Sequence, residues 1–333
     1  MKQTIMKHKT NLDRFSPSTA FDLKDALQEC GWEPGMTEET YDAIIGAGFR
    51  SKNLLLASIA TEIAHDQQPL TLRGLMYQIV SAGHLPSTDK EHYTRTGRIL
   101  STLREEGIVP FSWIVDNVRS TNKPSSWSGL EDFVETVKRS YRKDFWASQD
   151  SYCHVIVEKD AIAGVVSPVT REFDVSLSPI RGYVSLSFVH EIASTWKRIQ
   201  KPITCYYLGD FDASGFDLER DCREKLERYC NKPFTWKRLA INKWDFRKFK
   251  LIPLEAKKTD RRYAKFIQQH GSECAELDAL PATELRQRIR LAINTHIDQD
   301  RWERLLETER VERESLSNIG KFMTNTHAKE DAK

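Results

Sequence analysis

Between Tyr152 and Ile241 the chain alternates short apolar runs with longer amphipathic ones, and no other feature limits its fold as strongly. "YCHVIVE" is strand-like, "DAIAGVVSPVTREF" helix-like, "DVSLSP" strand-like and "SLSFVHEIASTWKRIQ" helix-like. "ITCYYLG", "SGFDLERDCREKLERYC" and "FTWKRLAI" continue the alternation. Strands separated by helices need crossover connections, so the pattern predicts a parallel α/β sheet over 151–320, with a helical elaboration at its C-terminal end. Pro168, inside the first of these helices, predicts a kink or a break.

Upstream the pattern is helical. Residues 1–50 read as a polar N-terminal extension with one or two short helices, the first capped by Ser18 or Thr19. Over 51–119 three helices follow. "NLLLASIATEIA" places Leu54, Leu55, Ile59 and Ile63 on one face, and "LTLRGLMYQIVSAG" closes at Gly83. "STDKEHYTRTGRILSTLREEG" has Thr88 and Glu91 at capping-box spacing and ends at Gly107. "IVPFSWIVD" then reads as a short strand or wing. Three helices, a small β element and arginines on the third helix predict a winged helix-turn-helix domain, giving an α/β plus α protein. Residues 120–150 are a Ser/Pro-rich linker and a bridging helix, and 321–333 a flexible polar tail.

The composition, 39% hydrophobic and 29% charged over 333 residues, excludes a disordered chain and suits two or three domains. A net charge of +2 means that affinity for nucleic acid must come from local patches. The six cysteines form no C-x-x-C pair, which supports neither a zinc site nor a disulfide framework and suits a reducing cytoplasm. No secretory apolar core, no run long enough to span a membrane and no phosphate-binding G-x-x-x-x-G-K-[ST] loop is found. The nine histidines form no H-x-x-x-H pair.

In an open α/β sheet, ligands bind beyond the carboxyl ends of the strands. The first strand ends at Glu158 in "VIVEKDA", and the third at Asp210 and Asp212 in "GDFDASG". Three carboxylates at one sheet edge repel each other unless a cation joins them. Hard oxygen ligands without histidine or thiolate favour Mg²⁺, or Mn²⁺. Gly215 permits a tight turn there. A D-x-D pair is also a common solvated turn or helix cap, and that alternative stays open.

"VEKDA" followed by "GDFDASG" on alternating strands and helices resembles a Toprim domain. More closely, it is similar to that of the topoisomerase VI A subunit and the related meiotic double-strand-break proteins. The resemblance spans roughly residues 50–290 and is strongest over 152–217. It implies Mg²⁺ binding by Glu158, Asp210 and Asp212. "CAELDAL", from Cys274 to Leu280, is similar to the family's E-x-E-A-L segment, though its residues suggest no mechanism. The family also carries an R-x-x-x-Y segment in its winged-helix domain, matched here by Arg73 and Tyr77 in "TLRGLMYQ". These lie one helical turn apart, so Arg73 could neutralise a phosphate beside the phenol.

The resemblance implies that Tyr77 forms a tyrosyl–DNA ester and that a homodimer cuts double-stranded DNA. The tyrosine of one protomer would meet the metal of the other, and a separate B-type ATPase subunit would act with them. Gly74 stands where the family usually has an acidic residue, and one tyrosine where two aromatics are common. Short A-subunit-like proteins of mobile elements are the best likeness. Tyr77, amid Leu75, Met76, Ile79 and Val80, is equally readable as a core residue. A hydrolytic Toprim nuclease that uses water in place of Tyr77, or a non-catalytic DNA-binding protein, fits the same residues.

Arg95 and Arg98 on the third helix, Lys159 beside Glu158, and Arg181 after the second strand are candidate DNA contacts. Asn231–Lys250 carries seven Lys or Arg against Asp245, with aromatics between them, and Lys257–Phe266 adds a second basic segment. Such stretches can track a phosphate backbone or simply form a solvated edge.

Overall fold

A computed structural model describes residues 18–115, 124–255 and 260–330, with side chains as far as 316. It begins with five helices: α1 (Ala20–Glu29), α2 (Glu38–Gly46), α3 (Ser51–Gln67), α4 (Leu72–Ser81) and α5 (Lys90–Glu105). Every residue of α3 from Leu54 to Ala64 is buried, because α1, α2, α4 and α5 all pack around it. Residues 18–50 are therefore part of this core and not an appended extension: Leu23, Leu27, Tyr41 and Ile44 are fully buried.

Thr19 caps α1 in a reciprocal box with Asp22. Gly83 and Gly107 end their helices at φ +85° and +71°, where a side chain would be strained. The cap of α5 falls one residue later than expected. Asp89 accepts from the His92 N–H at 3.0 Å, because a carboxylate outcompetes the Thr88 hydroxyl for the helix start. The strand expected at 108–116 is also different. Pro110 opens a 3-10 turn, Phe111–Trp113, leaving a single parallel bridge between Ile114 and Leu70. Residues 116–123, the end of the expected winged-helix domain and the start of the expected linker, lie outside the described residues.

The sheet is wholly parallel: β1 (Tyr152–Val157), β2 (Ser176–Pro179), β3 (Ile203–Leu208) and β4 (Thr235–Ala240), in the order β2-β1-β3-β4. On one face lie α7 (Asp160–Glu172) and α12 (Ala282–Asn294), and on the other α8 (Leu186–Arg198) and α9 (Ala213–Cys230). Covered on both sides, β3 is buried along its whole length, which is why it reads as an unbroken apolar run. Pro168 does not split α7. The Gly164 carbonyl, which the missing N–H would have satisfied, accepts the Ser167 hydroxyl at 3.2 Å.

Beyond β4 come α10 (Lys243–Lys248) and α11 (Tyr263–His270), the latter lying between the antiparallel strands β5 (Leu254–Glu255) and β6 (Glu273–Cys274). After α12 the chain ends in α13 (Gln299–Glu330), on which α6 (Leu130–Ser140) packs. The tail expected at 321–333 is thus helical to Glu330. Upstream, α13 is laced by ion pairs one turn apart, Arg310 with Glu307 and Glu314 at 2.6 and 2.5 Å and Arg313 with Glu309 at 2.9 Å. Among the described residues no helix is long and apolar enough to cross a membrane.

Candidate functional site at the carboxyl edge of the sheet

The winding direction reverses after β2, so a crevice opens between the carboxyl ends of β1 and β3. Glu158 and Asp210 meet there. A Glu158 carboxylate oxygen accepts the Asp210 N–H at 2.8 Å, and Asp210 in turn accepts the Leu277 N–H at 2.7 Å. Each residue is 7% exposed. The flanking glycines are required by space. A Cβ at Gly209 would lie 2.9 Å from the Glu158 carboxylate, and one at Gly215 only 2.4 Å from the Asp210 carbonyl oxygen. Arg238, from the basic stretch on β4, donates to the Gly209 carbonyl at 2.8 Å and to that of Asp210, and pairs with Glu219. It therefore works as a loop clamp rather than as a DNA contact.

Asp212 sits differently. It caps α9, accepting the Gly215 N–H at 2.7 Å, so the cap alternative describes this residue. Among the described residues no three His, Cys, Asp or Glu side chains are gathered into a ready metal cage. Burial, then the charge of Asp210, pushes the Glu158 carboxyl up to about 7, and burial also raises Asp210. Two adjacent carboxylates in a low-dielectric corner cannot both be charged without a cation.

A segment whose role was not legible in the sequence adds two further carboxylates to the corner, and Lys159 and Arg73 balance the charge. "CAELDAL" is stitched to the D-x-D loop by two backbone bonds between Phe211 and Ala275, at 2.8 and 3.0 Å. It delivers Glu276 and Asp278 to the corner. The Lys159 ammonium lies 2.9 Å from Asp210, 3.3 Å from Asp278 and 3.9 Å from Glu276. Burial works against its charge, but Asp210, Asp278 and Glu276 outweigh that effect and hold its pKa above the ordinary lysine range. Asp278 also accepts the Thr71 hydroxyl, at 2.6 Å, at the N-terminus of α4. Arg73, the second residue of α4, donates to both Glu276 oxygens at 3.0 and 2.9 Å. On α12, Arg286 donates to the Gln67 and Pro69 carbonyls, both at 2.9 Å. The helical unit is thus docked against the acidic corner of its own chain.

Tyr77, on α4, is 2% exposed. Burial first, then Glu276, pushes its phenol up to about 12, while Arg73 and a hydrogen bond with Thr88 pull the other way. The phenol is therefore buried, though within electrostatic reach of Glu276 and Arg73.

The remaining expected contacts separate. Arg95 folds back on α3, donating to the Asn53 side chain at 2.9 Å and the Lys52 carbonyl at 3.1 Å. Arg98 is exposed. Arg181, at φ +53°, pairs with Asp160 in the first turn of α7 at 2.5 Å. In the Asn231–Lys250 stretch, Lys248 and Arg288 stack on Trp244, at 5.4 and 4.4 Å from its ring. Part of the second basic segment, 256–259, lies outside the described residues. No protein-family model, curated protein or solved structure matches this chain.

Proposed function

We propose that Glu158, Asp210 and Asp212 form a divalent-cation-dependent phosphoryl-transfer centre acting on double-stranded DNA, of the topoisomerase VI A type. One observation carries this reading: two buried acidic residues are joined at the switch point of a parallel sheet, the Asp210 N–H on the Glu158 carboxylate, and Arg73 of α4 reaches the same corner through Glu276. In this reading β1–β4 are a Toprim-type sheet and α3–α5 a winged-helix unit. The all-oxygen donor set suits Mg²⁺ or Mn²⁺, with Lys159 now neutralising Asp210. A bound ion would supply charge neutralisation at the reacting phosphate and at the leaving 3′ oxygen.

The chain's own residues do the rest. Arg73 holds the phosphate by its forked guanidinium. The Tyr77 oxygen attacks phosphorus and loses its proton, while the 3′ oxygen leaves and takes one up. Each chain cuts one strand, so a two-fold dimer completes a double-strand break. A separate B-type ATPase subunit would be needed for strand passage.

The 2% exposure of Tyr77 favours a second reading, a hydrolytic nuclease using the same acidic corner and water. The two are separated by incubating supercoiled plasmid with Mg²⁺ and quenching in denaturant. Transesterification leaves protein on the 5′ ends, and Tyr77→Phe falls to background while still binding DNA. Free 5′ phosphates with a fully active Tyr77→Phe establish the hydrolytic reading instead.

A further inference from the structure

Glu276 is held between cations from two halves of the chain. Arg73 of the helical unit grips both of its oxygens, at 3.0 and 2.9 Å. Lys159, at the start of α7, stands 3.9 Å away. The neighbouring Asp278 is a fixture: its side chain is 4% exposed and is bonded to the Thr71 hydroxyl. Glu276 is not, for its side chain is 25% exposed and that of Arg73 46%. Its backbone is fixed on both sides, by the Phe211–Ala275 bonds and by the Leu277 N–H on Asp210. The carboxylate can therefore leave without unfolding the segment.

A carboxylate and a phosphodiester present the same thing to a guanidinium: one negative charge spread over two forked oxygens. We propose that Glu276 occupies the seat of a DNA phosphodiester, and that a backbone phosphate displaces it to bind Arg73 and Lys159 together. The proposal rests on the DNA-cleaving reading above and adds to it a phosphate seat shared between the two units. In the DNA-free protein the Arg73–Glu276 pair holds this seat closed. Displacement of Glu276 by phosphate opens that pair at the moment substrate arrives.

The test needs no metal and no cleavage. A fluorescein-labelled 20-base-pair duplex is titrated with the full chain in EDTA, between 50 and 300 mM KCl, and followed by anisotropy. Glu276→Gln keeps the shape and removes the competing charge. It should bind about tenfold tighter at 100 mM salt, with the salt slope steeper by about one unit, the value of one newly available phosphate contact. Adding Arg73→Gln should cancel that gain. Glu276→Asp, which withdraws the carboxylate by one methylene, should give a smaller gain of the same sign and covers the case in which the first variant folds poorly.

Unchanged or weaker binding in both variants overturns the seat, as does a gain that survives Arg73→Gln. Inorganic phosphate at constant ionic strength should compete no better than chloride. If it erases the difference between the variants, the seat belongs to a free anion and the DNA assignment falls. Absence of duplex binding by wild type and variants alike would overturn the DNA-cleaving reading itself. Binding by wild type without a gain in the variants removes only the seat.

Discussion

His154 lies within β1 and Glu158 at its end, and both are buried, yet their surroundings are opposite in kind. His154 sits in a closed knot. The Trp196 indole N–H, which can only donate, reaches its Nδ1 at 3.2 Å, so Nε2 carries the hydrogen and donates to the Ser178 hydroxyl at 2.9 Å. Every polar atom is matched by a neutral partner, and burial pushes the imidazole down to about 4. Glu158 sits in an open account of charge. It binds the backbone N–H of another acidic residue, Asp210, and the balance comes from Lys159, next in sequence, and from Arg73 on a distant segment. A buried polar group with matched neutral partners stabilises a fold. A surplus of like charge at a strand end destabilises the fold it sits in, and is the mark of a site for something else.

The largest effect should come from the corner. Asp210→Asn with Asp212→Asn should lower divalent-dependent plasmid cleavage at least about 1,000-fold, roughly 4 kcal/mol. The single Asp210→Asn, in EDTA, should leave stability to urea unchanged or raise it by about 1 kcal/mol, since a buried like charge is removed. Cleavage that persists in the double variant, or a clear loss of stability in the single one, would place the corner in the same class as the knot.

Next comes the knot, whose signature is pH. The unfolded chain takes up a proton on His154 near pH 6.5, the folded protein only near 4. The stability is therefore complete above pH 6.5 and declines as pH falls, by about 3 kcal/mol in total. His154→Gln, which can still accept from Trp196 and donate to Ser178, should flatten the curve of urea midpoint against pH over that window. Identical curves for the two proteins would show that the knot admits a proton easily and is not closed.

The smallest effect contrasts a tied charge with a free one. Arg98→Ala should weaken duplex binding about fivefold and flatten the salt slope by about one unit. Arg95→Ala should instead cost about 1 kcal/mol of stability, through the lost bonds to α3, and barely change the slope. Reversed results would mean that Arg95 leaves Asn53 to meet DNA.

Helix ends at Gly83 and Gly107, the four strands, and the placing of Glu158 and Asp210 at one sheet edge were all legible. Each depends on residues close in sequence: a positive-φ glycine, an apolar run, a strand terminus. The D-x-D pair was only half legible. Asp210 faces the crevice and Asp212 turns back to cap α9, and a two-residue spacing does not say which carbonyl or N–H each carboxylate will find. The surroundings of Tyr77 and Arg95 were not legible, for a related reason. Helical periodicity tells which residues share a face but not what packs on that face: here Thr88 bonds to Tyr77, and Asn53 of α3 takes Arg95.

The sequence alone determined the alternation of strands and helices, the parallel sheet that alternation requires, and the carboxylates waiting at its edge. Tertiary structure decided what surrounds those carboxylates. Lys159 is a neighbour in sequence, but Glu276, Asp278, Arg73 and Thr71 come from segments with no local signal linking them to the corner. Local pattern is governed by backbone sterics and by burial of one face, which act over a few residues. Electrostatic balance in a buried corner is a sum over everything within a few ångströms, and only the folded chain specifies what that includes.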